Sequence, residues 1–418
     1  MISVEEALDK VLGYVTALDT EETPLLDALG QVLAEDVSSD IDVPPLDNSA
    51  MDGYAVRSAD TAGASPESPR LLRVVDTVAA GSVSECEVAA GTAIRIMTGA
   101  PVPRGADSVV QFEDTDEALR SGVAGEVGVL AEVAVGLNIR RAGEDIGRGT
   151  TVLPKGTVVS PPEVGLLASL GRDRVRVIRR PVVAILATGD ELVDLGEPLG
   201  VGKIYNSNSY SVAALVRRYG GIPEVLGIAR DSEDSLVASL KRGLKADMLV
   251  TSGGVSVGDY DVVKEVLAKQ GEIAFWSVRM KPGKPLAFGT IRGVSETGEV
   301  RNIPQVGLPG NPVSSMLTSE LFIRPAIRKM MGKAQVTRPT FEAVVEDTVV
   351  NSDLRRIYAR AVVEKRGGQY YARLTGPQGS GILTSLTVAN ALAIIPEDKV
   401  EVVPGDVVPV MMLDWGED

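Results

Sequence analysis

The sequence predicts a multidomain chain in which an α/β domain is combined with β-rich domains. Three observations lead to this. Residues 179–330 alternate buried-type strand runs with helical patterns, the spacing of a parallel, doubly wound sheet. The stretches from about Leu25 to Asn138, and after about residue 332, carry short β-rich runs punctuated by proline and glycine, as strands joined by tight turns do. Finally, 418 residues exceed what one hydrophobic core fills, so three or four domains are expected.

Taken in order, Ser3 followed by Glu6 matches a capping box, so "SVEEALDKVLGYV" reads as a helix. "VLAEDV", "RLLRVVDTV", "TAIRIM" and "DSVVQF" read as strands, with "DVPPLDN" and "GAPVPRGAD" as turns. Residues 117–128, "EALRSGVAGEVG", are polar and glycine-bearing and read as an exposed loop or hairpin tip. In the centre, "RPVVAILATGDEL" is a buried strand ending in an acidic turn, and "SYSVAALVRRYGG" a helix closed by a glycine pair. "EVLGIA" is a strand, "SEDSLVASLKRGLKA" a helix, and "ADMLVTSGG" a strand running into a glycine loop. "YDVVKEVLAKQG" is a further helix, and "VGLPGNPVSSMLTSELFIRPAIRKMMG" a strand, loop and helix. The closing runs, "FEAVVEDTVV", "IYARAVVEK", "YYARL", "ALAIIPED" and "DVVPVMML", suggest a small barrel or sandwich.

Composition narrows the chemistry. There is no histidine and one cysteine, Cys86. Histidine-based catalysis, histidine-ligated zinc, an internal disulfide framework and a multi-thiolate metal site are all excluded. Cys86 reads as an incidental thiol, since no imidazole can activate it. A formal charge of −15 and 4% aromatics argue against nucleic-acid binding, which rests on basic patches and stacking platforms. No apolar run has the ~20 residues of a membrane span, and the first residues lack a signal-peptide pattern, so a cytoplasmic protein is expected. The remaining chemical means are carboxylates, lysines, arginines, hydroxyls, backbone amides and a hard metal ion.

Several turns carry such groups. "TSGGVSVGDYD" (251–261) lies between a strand and a helix, where backbone N–H groups and a helix N-terminus suit an anion. Asp259 and Asp261 either cap that helix or, for Asp259, face the anion through a divalent ion; magnesium takes a few carboxylates plus phosphate oxygens. Asp190 and Glu191 end one strand, and Asp231 ends the next. Each alone reads as a cap or a solvated residue, but together they put carboxylates along one sheet edge. "MKPGKP" offers Lys281 and Lys284 on a stiff turn, compact cations suited to a small oxyanion. "GLPGNPVSS", with Pro309, Gly310 and Asn311, is too constrained for an arbitrary loop. Asp52 in "DNSAMDGYAV", Thr98 in "RIMTGAPVPRGAD", and Arg140, Arg141, Glu144 and Asp145 in "RRAGEDI" read singly as turn chemistry.

As a set, "DNSAMDGYAV", "IRIMTGAPVPRGADSVV", "RRAGEDI", "ATGDEL", "IYNSN", "SGGVSVGDYD", "MKPGKP" and "GLPGNPVS" resemble the molybdopterin molybdenumtransferases (bacterial MoeA, and the E domain of gephyrin). They occur in the family's order, and "GSGILTSLTVANAL" extends the similarity into the last region. The resemblance implies an elongated homodimer of four domains per chain. These are a discontinuous domain (1–24 and 142–178), a β-rich domain (25–141), an α/β domain similar to the molybdopterin adenylyltransferase fold (179–331) and a C-terminal β-barrel (332–418). Its cleft would lie between the α/β module of one subunit and N-terminal elements of the other.

The implied reaction converts adenylylated molybdopterin and molybdate to molybdenum cofactor, AMP and water; the substrate's dithiolene supplies the sulfur ligands. By the resemblance, Asp52, Thr98, Asp145, Glu191, Asp231, Asp259, Lys281 and Lys284 act in catalysis. Mg²⁺ would be held among Asp190, Glu191, Asp231 and Asp259. Ser252, Gly253, Gly254, Ser256, Gly258, Asn206, Pro309, Gly310, Asn311, Ser380 and Arg355 would bind the substrates, with Arg360 the alternative to Arg355 as the oxyanion-binding arginine. Implied partners are a second copy, the adenylyltransferase and recipient molybdoenzymes. The alternative is a silent paralogue serving as molybdopterin carrier or scaffold; the intact anion-facing turns favour the enzyme.

Overall fold

A computed structural model describes residues 1–119, 125–230, 233–253, 271–294 and 300–413. The chain forms two compact units.

The first unit comprises Met1–Thr23, Ala28–Ala34 and the chain from Arg176 onward. Its central sheet runs in the order Ile222–Ala229, Val182–Thr188, Met248–Ser252, Val300–Leu308, Pro285–Val294, Gly271–Ser277. The first four strands are parallel, as the strand–helix alternation predicts. The last two are antiparallel. Only the short "VRMKPGK" segment links Gly271–Ser277 to Pro285, too little chain for the crossover that a parallel pair requires. Alternate residues of the central strands enter opposite layers. Val183, Ile185 and Val250 pack with Val212 and Val216 of helix Ser207–Tyr219. Ala184, Leu186 and Leu249 meet Leu236 and Leu240 of helix Glu233–Gly243. The helix expected over residues 260–270 lies outside the described residues.

Helix Val4–Gly13 opens with the expected capping box: Glu6 N–H donates to Ser3 Oγ at 3.0 Å, and Ser3 N–H to Glu6 Oε2 at 2.9 Å. Its buried Val4, Ala7 and Val11 recur at helical spacing. They join one core with Val183 and Ile185 of the sheet and Tyr358, Leu392 and Met411 of the C-terminal region. That region is a closed barrel of strands Phe341–Val345, Arg356–Arg366, Gln369–Leu374, Ala391–Ile395 and Val407–Met412. Alanines at 343, 359, 361, 372, 391 and 393 fill it, as a narrow barrel needs. Closure leaves these strands without an open edge.

The second unit, Pro24–Asp27 and Glu35–Val175, is built on a sheet ordered Ser108–Gln111, Gly53–Val56, Thr92–Ile96, Arg70–Val78, Glu126–Val129. Tyr54 and Val56 face one layer with Leu72 and Val127, while Ala55 faces the other with Ile94 and Val109. The last strand takes the end of the exposed loop or hairpin tip expected over 117–128, whose flanks pair antiparallel through Thr115 and Val129. Glu126–Val129 pairs with Arg70–Arg73 and buries Val127 and Val129; a strand of four residues beside polar, glycine-bearing text gives too little alternation to read. Among the described residues, no helix is long and apolar enough to cross a membrane.

Candidate active site

Three parallel strands of the first unit end side by side at Thr188, Ser252 and Leu308. The predicted turns follow them. A cavity of about 280 Å³ opens here, lined by Thr188, Glu191, Asn206, Asn208, Ser252, Gly253 and Gly310, and by Gly381 from the barrel region. It stands at the carboxyl edge of the parallel strands, where open α/β sheets bind ligands. Gly253 lets the turn close: its φ is +96°, and a Cβ there would lie 2.5 Å from the Thr188 carbonyl oxygen. Asn206 is buried and caps helix Ser207–Tyr219 by accepting the Ser209 N–H at 3.2 Å. Glu191 and Asp190 are exposed, and the Asp190 carbonyl accepts from Lys203 Nζ at 2.6 Å. Pro309 is buried and Asn311 exposed, the latter preceding helix Pro312–Thr318.

The barrel reaches this wall through residues 376–382. Val313 N–H donates to the Ser380 carbonyl at 3.1 Å, which ties the "GLPGNPVSS" turn to "GPQGSGIL". Beneath that segment, Arg360 is 1% exposed. Its Nε donates to Ser385 Oγ at 3.0 Å and its Nη2 to the Gly379 carbonyl at 3.1 Å. Both acceptors are neutral, and burial pushes the Arg360 pKa down, as expected for a cation removed from water. Gln378 brackets the backbone of the same residue: Arg360 N–H donates to Gln378 Oε1 at 2.8 Å, and Gln378 Nε2 to the Arg360 carbonyl at 3.2 Å.

Arg355 is placed differently. Its Nε donates to Asp353 at 2.9 Å and its Nη1 to the Met280 carbonyl at 3.4 Å. This hydrogen bonding by Arg355, assisted by the nearby Lys281 charge, holds the Asp353 carboxyl below its usual range. Met280–Lys281 pairs in parallel with Arg356–Ile357 of the barrel, so the "MKPGKP" corner is anchored to the barrel. Lys281 and Lys284 are both exposed there.

In the second unit, three motif turns converge. Thr98 donates from N–H at 2.7 Å and from Oγ1 at 2.8 Å to one oxygen of Asp52, and these bonds, the backbone one foremost, hold the Asp52 carboxyl low. Gly53 permits this turn, since a Cβ there would sit 1.9 Å from the Val110 carbonyl oxygen. Asp47 accepts from Arg141 Nη1 at 2.6 Å and Ala142 N–H at 2.8 Å, joining "RRAGEDI" to "DNSAMDGYAV". Asp145 is exposed, with its N–H on the Val43 carbonyl at 3.0 Å.

Gly254, Ser256, Gly258, Asp259 and Asp231 lie outside the described residues. Among the described residues, no group of three or more Asp, Glu or Cys side chains is placed to hold a metal ion. Asn208, Gln378 and Ser385 escaped the sequence reading. Asn208 stands two positions after Asn206 in "IYNSN", a signal that was available. A larger cavity, about 370 Å³, is lined by Glu5, Arg338, Arg356, Tyr358 and Glu397 among others. No motif residue lines it, and Arg356 pairs there with Glu5 and Glu397, and Arg338 with Glu320, so its charges are already matched.

Comparison with known proteins agrees with this layout. Residues 2–171 match the MoeA N-terminal region (domain I and II), residues 184–329 a probable molybdopterin binding domain, and residues 343–413 the MoeA C-terminal region (domain IV). The chain is 40% identical to molybdopterin molybdenumtransferase 2 of Mycobacterium tuberculosis (strain CDC 1551 / Oshkosh), covering 97% of this chain and 98% of that protein. It is 38% identical to the molybdopterin molybdenumtransferase of Bacillus subtilis (strain 168), over 94% and 90%. The crystal structure of the molybdopterin biosynthesis MoeA protein from Pyrococcus horikosii superposes with a TM-score of 0.80 at 32% identity, covering 99% of each chain. Fold and family matches thus define a multidomain protein whose α/β module matches the probable molybdopterin binding domain and whose C-terminal barrel matches domain IV. More narrowly, the chain belongs to the molybdopterin molybdenumtransferase (MoeA) family.

Proposed function

We propose that the cavity at Ser252, Gly310 and Gly381 binds adenylylated molybdopterin, and that Arg360, Ser380, Lys281 and Lys284 hold molybdate beside it. The chain is a transferase that inserts molybdenum in molybdenum cofactor biosynthesis. The reaction yields molybdenum cofactor, AMP and water from adenylylated molybdopterin and molybdate. One observation carries the site reading: Gly310 of the α/β turn and Gly381 of the barrel line the same cavity, with the buried Arg360 guanidinium, which has no acidic partner among the described residues, under the same barrel segment. A buried cation without a carboxylate is costly until an anion joins it, and molybdate is a dianion. Arg355, already paired with Asp353, suits that task less.

Glu191, at the cavity, and Asp145 are the carboxylates that would position the attacking oxygen. The hard carboxylate oxygens of Glu191 at this cavity also fit Mg²⁺, which would be held by Glu191 with Asp190, Asp231 and Asp259. When bound, the ion would offset phosphate charge. A homodimer belongs to this reading, with Asp52, Thr98 and Asp145 supplied by a second copy. So do a cytoplasmic setting, an adenylyltransferase as supplier and molybdoenzymes as recipients. The four-domain division at 1–24 with 142–178, 25–141, 179–331 and 332–418 is part of it too.

The test is an assay of full-length protein with adenylylated molybdopterin, molybdate and Mg²⁺. The expected result is AMP release together with a pterin that activates an apo-molybdoenzyme. AMP without active cofactor would point to a nucleotide-cleaving enzyme, and neither product to a carrier.

A further inference from the structure

Asn208 belongs to helix Ser207–Tyr219, yet its side chain joins two turns that come from other elements. Nδ2 donates to Ser252 Oγ at 2.9 Å and to the Gly310 carbonyl at 2.7 Å. The orientation of the amide is determined by chemistry, because a carbonyl oxygen only accepts and so requires the NH₂ end. Strands Met248–Ser252 and Val300–Leu308 pair in register as far as Ser252↔Leu308. Past that point the Gly253 N–H reaches the Leu308 carbonyl at 3.2 Å, and the Asn208 amide spans the remaining opening between the two turns. Ser252, Gly310 and Asn208 all line the one cavity. The other end of the amide, Oδ1, is buried without a hydrogen-bond partner among the described residues. Such an atom costs stability, so what the asparagine contributes here is the pair of bonds that its other end donates across the two turns.

We infer that Asn208 is a positioning residue for the adenylylated substrate: one amide sets the distance between the Ser252 and Gly310 sides of the cavity. This rests on the reading of that cavity as the substrate site. Alanine at 208 leaves both turns in place but untied. Aspartate removes the donor when ionised and restores one when protonated.

The experiment compares the full-length protein with Asn208→Ala and Asn208→Asp in three measurements: AMP binding by calorimetry, steady-state kinetics and thermal unfolding. The inference predicts that Asn208→Ala weakens AMP binding and raises KM for the adenylylated pterin by about tenfold, as loss of a bond at a ligand site does. The KM for molybdate should stay unchanged and the unfolding midpoint should stay within about 4 °C of the parent. Relative to the parent at the same pH, Asn208→Asp should bind AMP poorly at pH 8 and recover part of the affinity by about pH 4, where a carboxyl with its ordinary pKa of about 3.9 is protonated in roughly half the molecules, a reversal that a merely structural role would not produce. Parent-like AMP affinity in Asn208→Ala, or an aspartate variant whose affinity ignores pH, would overturn the inference. If alanine prevents folding, the aspartate pH profile alone decides. Failure of the parent itself to bind AMP would overturn the cavity reading, a different result from a parent that binds while Asn208→Ala binds equally well.

Discussion

The Nε of Arg360 lies 3.0 Å from Ser385 Oγ, a neutral partner, in a side chain only 1% exposed. Replacing Arg360 by methionine keeps much of the volume and removes the buried charge. Since an unmatched buried cation is costly, the unfolding midpoint should hold or rise. Molybdate use should fall by about thirtyfold, the equivalent of about 2 kcal/mol for a lost charge-assisted contact. Arg360→Lys should not rescue it, because an ammonium cannot reproduce the planar fork on Ser385 and Gly379. Molybdate KM, AMP affinity and the midpoint, measured on the same preparations, check this.

Asp52 and Thr98 give a pH prediction. The Asp52 pKa lies below its ordinary 3.8 because the Thr98 backbone and hydroxyl both donate to it. A depressed folded pKa means that these bonds support the fold fully above the unfolded value, and that the support fades as pH falls through the folded pKa. Thr98→Val removes only the hydroxyl. The Asp52 titration, followed by carboxyl NMR, should move up toward 3.8 but stop short of it, because the larger, backbone contribution survives. A midpoint that does not move would refute the role of the hydroxyl.

Gly53→Ala should be severe although the residue has no side chain to lose. The added Cβ would meet the Val110 carbonyl oxygen at 1.9 Å, and backbone cannot rotate away as a flexible side chain can. Overpacking of this kind costs about 1–3 kcal/mol or more, read as a lower unfolding midpoint and loss of the Asp52–Thr98 bonds.

Much of the fold was legible because its punctuation is local. Glycine pairs, acidic strand ends and the Ser3–Glu6 box mark boundaries with nearby residues. The short strand Glu126–Val129 was not legible, since its pairing with Arg70–Arg73 is set by the rest of the sheet. The site was legible as a set of turns but not as an arrangement. Ala359 and Ala361 announce a barrel strand, yet nothing nearby shows that Arg360 between them meets the neutral Ser385 hydroxyl and Gly379 carbonyl. Arg355, by contrast, has Asp353 two positions away, so its pairing was readable. The tie of Val313 to Ser380 joins two domains, a relation that no local pattern carries.

Subunit complementation tests the homodimer. If Asp52 of one copy serves the Lys284 site of another, Asp52→Ala and Lys284→Ala proteins should each be inactive. Refolded together, they should regain about a quarter of parental activity, since half the random dimers hold one intact site of two. Independent monomeric sites would give no recovery.

Glu191→Gln should raise the Mg²⁺ concentration needed for half-maximal activity, by about tenfold for the loss of one carboxylate ligand. Saturating Mg²⁺ should restore most of the rate if the residue holds metal, and little of it if Glu191 positions the attacking oxygen.

The location of the oxyanion is the most direct test. Crystals soaked in molybdate and measured at the molybdenum absorption edge should show one anomalous peak within hydrogen-bond reach of Arg360 or Ser380 and of the Lys281–Lys284 corner, beside the cavity that holds Ser252 and Gly310. A peak confined to other surfaces, with that corner turned away from the cavity, would contradict the account.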